Sequence, residues 1–288
     1  MADDRELQDG CSPEQCSGCE HADSCPSKDG PQSLLEDQNV FSNIKHVYGI
    51  VSGKGGVGKS FVTGSLAVEL ARRGYKVGIL DADITGPSIQ KMFGISEKAS
   101  GDQNGIYPAL TESGIKVVSI NMFLDDDTAP VLWRGPILAG VIKQFWTDVI
   151  WGELDYLLVD MPPGTGDVPM TVFQSIPVEG IVIVTSPQSL VNMIVKKAFN
   201  MAEMMNIPVI GIIENYSYIE CPDCKKHISL FGESHIDEVA NELGVPVLGR
   251  MPIIPEMAKM SDDGLFDKIS NSMIADAVDR IASVEGTK

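Results

Sequence analysis

SGKGGVGKS, residues 52–60, decides the fold of this 288-residue chain. It holds four glycines, the two lysines Lys54 and Lys59, and only one large apolar side chain, Val57. It follows directly on the apolar run HVYGIV at 46–51. Gly53–Ser60 fits G-x-x-x-x-G-K-[ST], and an amphipathic stretch follows it, so the setting is strand, loop, helix. Glycines let backbone N–H groups turn inward and approach phosphate oxygens. The helix after them presents its positive end. Gly53, Lys54, Gly55, Gly56, Val57, Gly58, Lys59 and Ser60 therefore read as a phosphate cradle. Lys59 neutralises the β- and γ-phosphates, and Ser60 ligates Mg²⁺.

Outward from the loop, short apolar runs alternate with amphipathic stretches. Strands are expected at 46–51, 76–80, 116–120, 155–159, 180–185, 208–213 and 245–248. Helices are expected near 59–73, 136–150, 189–205, 235–243 and 269–284. Near-continuous apolar strands separated by helices predict an α/β fold, a mostly parallel sheet with helices on both faces. Ligands in such folds sit at the carboxyl ends of the strands. Residues 10–33 carry almost no aliphatic side chains and cannot bury a core unaided. The expected division is a Cys-rich metal-binding segment with linker over 1–45, the linker lying at 31–43, and a P-loop domain over 46–288.

The segments that follow the strands supply carboxylates. YLLVD ends in Asp160, the position of an acidic residue that holds Mg²⁺ through water. MPPGTGD follows, with Gly164 and Gly166 free to move when a γ-phosphate is lost. ILDADITGPS sets Asp81 and Asp83 after another strand, and Asp83 is the candidate for orienting the attacking water. The chain contains no N-K-x-D guanine reader, so ATP is the expected nucleotide. Asn215 is a candidate for reading the adenine edge, and Pro187 for packing on the base.

A net charge of −18 argues against general nucleic-acid binding and against docking on anionic lipid. No apolar run reaches membrane-spanning length. The acidic, polar start MADDRELQDG is neither a signal peptide nor a transit peptide, so the cytoplasm is the expected location. The six cysteines fall in two groups, Cys11, Cys16, Cys19 and Cys25 in one and Cys221 and Cys224 in CPDC in the other. Clustered cysteines in a cytosolic chain point to metal or redox chemistry. Two thiolates do not complete a [4Fe–4S] cluster, but two chains supply four. Zinc on Cys221, Cys224 and His227, a redox dithiol, or a structural knuckle are the competing readings of CPDC. The four N-terminal cysteines suffice for one cluster within one chain, with zinc as the alternative.

K-G-G-x-G-K-[ST] is the deviant form of the phosphate loop. With DADITGPSI, VLWRGP, DYLLVDMPPGTGD, TSPQ, ENYSYIECPDC and GRMPI, the chain resembles the Mrp/ApbC family of iron–sulfur cluster carrier ATPases, including its Nbp-type members. The larger group contains MinD, ParA and the nitrogenase iron protein. The resemblance extends over roughly residues 46–255. It implies that Lys54 crosses a dimer interface to the partner's phosphates, and that Cys221 and Cys224 hold a labile [4Fe–4S] cluster between subunits. It also implies a homodimer, or a heterodimer with a related ATPase, and apo iron–sulfur proteins as recipients. The spacing CSGCEHADSC is similar to the N-terminal ferredoxin-like motif of Nbp-type members, although there the first cysteine lies further upstream than Cys11 does here. Phe61 stands where the group often has a threonine that touches the α-phosphate. Two other functions compete: a MinD- or ParA-like positioning ATPase with a structural zinc site, and an electron donor like the nitrogenase iron protein. The C-terminal stretch FDKISNSMIADAVDRIASVEGTK is a mixed, slightly acidic amphipathic helix, unlike a basic membrane anchor.

Overall fold

β-Branched and leucine-rich runs set the order of the fold, because each is buried from both sides. The computed structural model describes residues 34–84, 86–124, 135–188 and 191–283. In chain order the strands are β1 Asn43–Val51, β2 Val77–Asp81, β3 Ser100–Asp102, β4 Gly105–Tyr107, β5 Ala109–Leu110 and β6 Lys116–Ser119. They continue as β7 Glu153–Asp160, β8 Gly180–Thr185, β9 Val209–Glu214, β10 Ile219–Glu220, β11 His227–Ile228 and β12 Val247–Arg250. The helices are α1 Lys59–Arg72, α2 Ile89–Met92, α3 Gly135–Thr147, α4 Asp167–Ser175, α5 Val191–Met204, α6 Ile236–Leu243, α7 Pro255–Asp262 and α8 Ala275–Ser283.

Eight strands form one sheet in the order β12-β9-β8-β1-β7-β2-β6-β5. Every pairing in it is parallel except that of β5 with β6. From β1 the chain first runs outward to β2 and β6. It then returns to insert β7 beside β1, and continues to the other side through β8, β9 and β12. The direction of travel thus reverses around β1, and a crevice opens at the carboxyl end of that strand. The loops after β1, β7, β8 and β9 all meet there.

Alternation along each strand divides the interior into two cores. Val47 and Val51 of β1, Val159 of β7 and Ile181 and Ile183 of β8 face α3, α4, α5 and α6. Tyr48 and Ile50 of β1, Leu158 of β7 and Val182 and Val184 of β8 face α1, α2 and α8. Full burial of each such aliphatic side chain contributes about 2 kcal/mol, enough to override local preference at the strand ends. The sequence-predicted α/β architecture is the observed one.

The differences are local. β1 starts at Asn43, because Asn43 to Ile50 pair in register with Glu153 to Asp160 of β7. Part of the expected linker lies on the domain: Glu36 N–H donates to Ser175 O, and Trp146 Nε1 donates to Glu36 O, at 2.9 and 2.8 Å. α2, α4, α7 and the hairpin strands β3–β4 and β10–β11 were not expected. α7 has no buried residue, so it carries no apolar stripe to read. Among the described residues no helix is long and apolar enough to cross a membrane. Cys11, Cys16, Cys19 and Cys25 lie outside the described residues.

Candidate functional site

The loop after β1 is bent by two left-handed glycines, Gly56 at φ 78° and Gly58 at φ 77°. Only glycine adopts that conformation without strain. Gly58 has a second reason to lack a side chain. A Cβ there would lie 2.2 Å from Asn215 Nδ2 and 3.0 Å from the Tyr216 hydroxyl. A Cβ at Gly53 would meet the Ile194 carbonyl of α5 at 2.6 Å. The loop is thus gripped from both sides before any ligand is considered.

α1 starts on Lys59 and sends three polar groups to one carboxylate. Lys59 Nζ lies 2.8 Å from Asp160 Oδ1 and 3.7 Å from Asp83 Oδ2. Ser60 Oγ donates to Asp160 Oδ2 at 2.6 Å, and Thr63 Oγ1 donates to Asp160 Oδ1 at 2.7 Å. Thr63 was not expected from the sequence. Its signal is its place four residues after Lys59, on the same helix face one turn on.

Asp81 stands opposite Asp160 in the β2–β7 register, and both are fully buried. It accepts hydrogen bonds from Asp83 N–H and Ser119 Oγ, each at 3.2 Å. Burial, reinforced by the neighbouring Asp160 carboxylate and opposed by Lys59, pushes its pKa up to about 8. Burial beside a second carboxylate thus favours the protonated form of Asp81.

A cavity of about 310 Å³ opens over these groups, lined among others by Ser52, Gly56, Lys59, Ser60, Asp83 and Pro163. Phe61 lines it too, and also a smaller cavity of about 90 Å³ with Asn215, Tyr216, Pro252, Ile253 and Met257. The Asn215 side chain donates to Val57 O at 3.0 Å and so braces the loop. Pro187 is buried just beyond β8 and lines neither cavity. Lys54 does not line the larger cavity; its ammonium donates to Gln188 Oε1. Gly164, at φ 92°, donates its N–H to Ser52 O at 2.8 Å and ties the loop after β7 to the phosphate loop. Ser60 and Asp160 form a hard-oxygen donor set of the kind Mg²⁺ takes. The structure thus brings Lys59, Ser60, Asp83 and Asp160 together as the sequence implies, whereas Lys54 and Pro187 stand apart from them.

Cys221 and Cys224 lie on the turn of the β10–β11 hairpin, one half-buried and the other exposed. Cys221 N–H donates to Lys226 O, and Lys225 N–H donates to Cys221 O, both at 3.0 Å. The backbone N–H of Cys224, and after it that of Asp223, hold the Cys221 thiol below the usual thiol range. The turn therefore favours a thiolate, the form that binds metal. His227 does not complete a zinc site with the pair. Its ring stacks on Tyr218 with centroids 3.9 Å apart, and among the described residues no three His, Cys, Asp or Glu side chains are grouped to hold a metal.

Comparison with known proteins identifies the family. The family described as ParA, NUBPL iron-transfer P-loop NTPase, matches residues 43–284. An iron-sulfur cluster carrier protein of Clostridium perfringens is 47% identical over 262 residues, covering 86% of this chain and 92% of its own. One of Methanocaldococcus jannaschii is 47% identical over 289 residues, covering 95% and 99%. Among solved structures, a nucleotide-binding protein from Archaeoglobus fulgidus, in complex with ADP and with cobalt found, is 44% identical with a TM-score of 0.72. It covers 80% of this chain and 90% of its own. The cell division ATPase MinD of Pyrococcus furiosus, 20% identical with a TM-score of 0.58, covers 83% and 98% and shares the fold. The chain belongs to the NUBPL iron-transfer P-loop NTPase family.

Proposed function

We propose that this chain is an ATP-dependent iron–sulfur cluster carrier. It binds a labile [4Fe–4S] cluster between two subunits and delivers it to apo-proteins in the cytoplasm. The observation that carries the reading is a juxtaposition. The phosphate cavity and the exposed Cys221–Cys224 turn are served by one segment, which touches the phosphate loop at Asn215 and reaches the first thiol six residues later. Relatives of near half identity are named cluster carriers.

In this reading the cluster is the cargo. Each chain offers two thiolates at the hairpin, and four are needed, so a second copy or a related ATPase completes the site. Apolar Ile228, Leu230 and Phe231 stand exposed beside the hairpin, which suits a surface covered by another chain. ATP fills the cavity over Lys59 and Ser60, with its base toward Asn215 and Phe61. Ser60 and Asp160 hold Mg²⁺, which neutralises phosphate charge. Lys59 exchanges its ion pair with Asp160 for the phosphates, and Asp83 orients the attacking water. Lys54, which does not line its own cavity and donates to Gln188, serves the nucleotide of the partner. The four N-terminal cysteines hold a second, more firmly bound cluster.

An electron donor resembling the nitrogenase iron protein is the second reading, since a bridging cluster also suits one-electron cycling. The test is an anaerobic transfer assay. The full chain is loaded with iron and sulfide and mixed with an apo-protein whose activity requires a [4Fe–4S] cluster. A carrier activates the acceptor in step with its own loss of cluster absorbance, and Mg·ATP alters the rate. Cluster retained through repeated reduction and oxidation, with no activation of the acceptor, supports the electron donor instead.

A further inference from the structure

Glu214, the last residue of β9, is fully buried, and the nucleotide chemistry above makes no use of it. Its two oxygens accept from Ser217 Oγ and Ser234 Oγ, each at 2.5 Å. Among the described residues its partners are hydroxyls and not cations. A carboxylate buried on such terms costs stability. What it joins gives the arrangement a purpose. Ser217 and Ser234 bracket residues 218–233, the segment that contains the whole β10–β11 hairpin with Cys221 and Cys224. One carboxylate thus clamps both ends of the cysteine segment to the end of β9.

The neighbouring residues lead to the phosphate loop. Asn215 donates to Val57 O at 3.0 Å. Tyr216, held at φ 59°, sets its hydroxyl against Gly58. A second path runs alongside. Ser217 N–H donates to Met251 O, and Ile253 N–H donates to Tyr218 O, both at 2.8 Å. Pro252, Ile253 and Ile254 form a wall common to two cavities. On one side is the 90 Å³ cavity beside Asn215 and Phe61; on the other is a groove of about 570 Å³ beneath Tyr218, Ile219 and Pro222 of the hairpin. A ligand that shifts the loop or this wall must also shift the residues that carry the hairpin.

We propose that Glu214 is a positioning residue that locks the cysteine hairpin to the phosphate loop, so that nucleotide binding alters the setting and reactivity of Cys221 and Cys224. The proposal rests on the reading that the loop binds nucleotide. With the clamp closed, the hairpin moves with residues 215–217 as one body. With it open, the hairpin is joined to them only by flexible chain, and the coupling free energy is lost.

The experiment uses the full-length chain with reduced thiols, without oxygen. Iodoacetamide labelling of Cys221 and Cys224 is followed by peptide mass spectrometry, with and without Mg·ATP, and ATP affinity is measured in parallel. In the wild type, nucleotide changes the labelling rate about fivefold or more, the lower end of ordinary coupling. Glu214→Gln and Ser234→Ala bind ATP as the wild type does, yet nucleotide no longer changes their labelling. A purely structural role for Glu214 would alter labelling equally in both conditions and leave the nucleotide effect intact, which overturns the proposal. A wild type that binds ATP with no change in labelling also overturns it. A wild type that binds no nucleotide defeats the functional reading itself, and the affinity measurement distinguishes that case. If Glu214→Gln does not fold, Ser234→Ala decides alone, because it removes one hydroxyl and leaves the carboxylate in place.

Discussion

Two carboxylates, Asp81 and Asp160, face each other across β2 and β7 with no solvent contact. Asp160 takes the Lys59 ammonium at 2.8 Å and the Ser60 and Thr63 hydroxyls at 2.6 and 2.7 Å, whereas among the described residues Asp81 takes only the Ser119 hydroxyl and the Asp83 N–H, each at 3.2 Å. Asp81 favours its protonated form, with a pKa raised to about 8. An unfolded aspartate loses its proton near pH 4. Between these values the folded chain holds a proton that the unfolded chain has released. The stability that Asp81 contributes is thus full in acid and is lost as pH rises from about 4 to about 8. Asn mimics the neutral form at every pH. Asp81→Asn is expected to flatten this decline and to melt at or above the wild-type temperature near pH 7. Thermal unfolding across pH checks it, and a lower melting temperature near pH 7 with an unchanged pH slope contradicts it. Much of this site was legible beforehand, because Lys59, Ser60, Asp83 and Asp160 each occupy a fixed place in a motif or at a strand end. Asp81 was visible only as an aspartate after a strand, since its protonation depends on what β7 sets beside it. Thr63 carried no motif at all.

At the scale of elements, the long apolar strands and amphipathic helices were readable, because burial on two faces writes a pattern into the sequence. The β10–β11 hairpin was not, since two-residue strands have no period to detect. Only its cysteine spacing announced it. α4 and α7 were hidden for a related reason: each is short and contains or begins with proline, and α7 buries nothing. Pro187 follows β8 and lines neither cavity, whereas the wall beside Asn215 comes from the loop after β12, which no motif marked in advance. The phosphate loop itself poses a sharper question, since it carries two lysines and only Lys59 lies over the cavity. Lys54 reaches Gln188 beyond the end of β8. If it acts on the partner's nucleotide, Lys54→Ala keeps ATP affinity and loses hydrolysis by a factor on the order of 10³. Mixing it with Lys59→Ala, which supplies Lys54 but binds no ATP, restores part of the rate. Hydrolysis unchanged by Lys54→Ala, or no restoration in proven mixed dimers, refutes the trans role.

The whole molecule places a nucleotide crevice and a two-thiol turn at the carboxyl end of one sheet, and among the described residues that turn offers only Cys221 and Cys224 as thiols. The proposed function requires two chains to share the cluster. A shared cluster is easier to release than an enclosed one, because a small rotation of the subunits strains all its bonds. That gives a physical reason for assigning the transferable cargo to Cys221 and Cys224. The most direct measurement is iron, sulfide and zinc per chain, with solution mass and transfer activity, for the wild type and Cys221→Ser/Cys224→Ser prepared without oxygen. The account predicts that the double variant loses about four iron atoms per dimer, keeps the iron bound by the N-terminal cysteines, still binds ATP, and no longer activates an apo-acceptor. A double variant that retains all its iron and still transfers cluster, or a wild type with one zinc per chain at the hairpin, contradicts it.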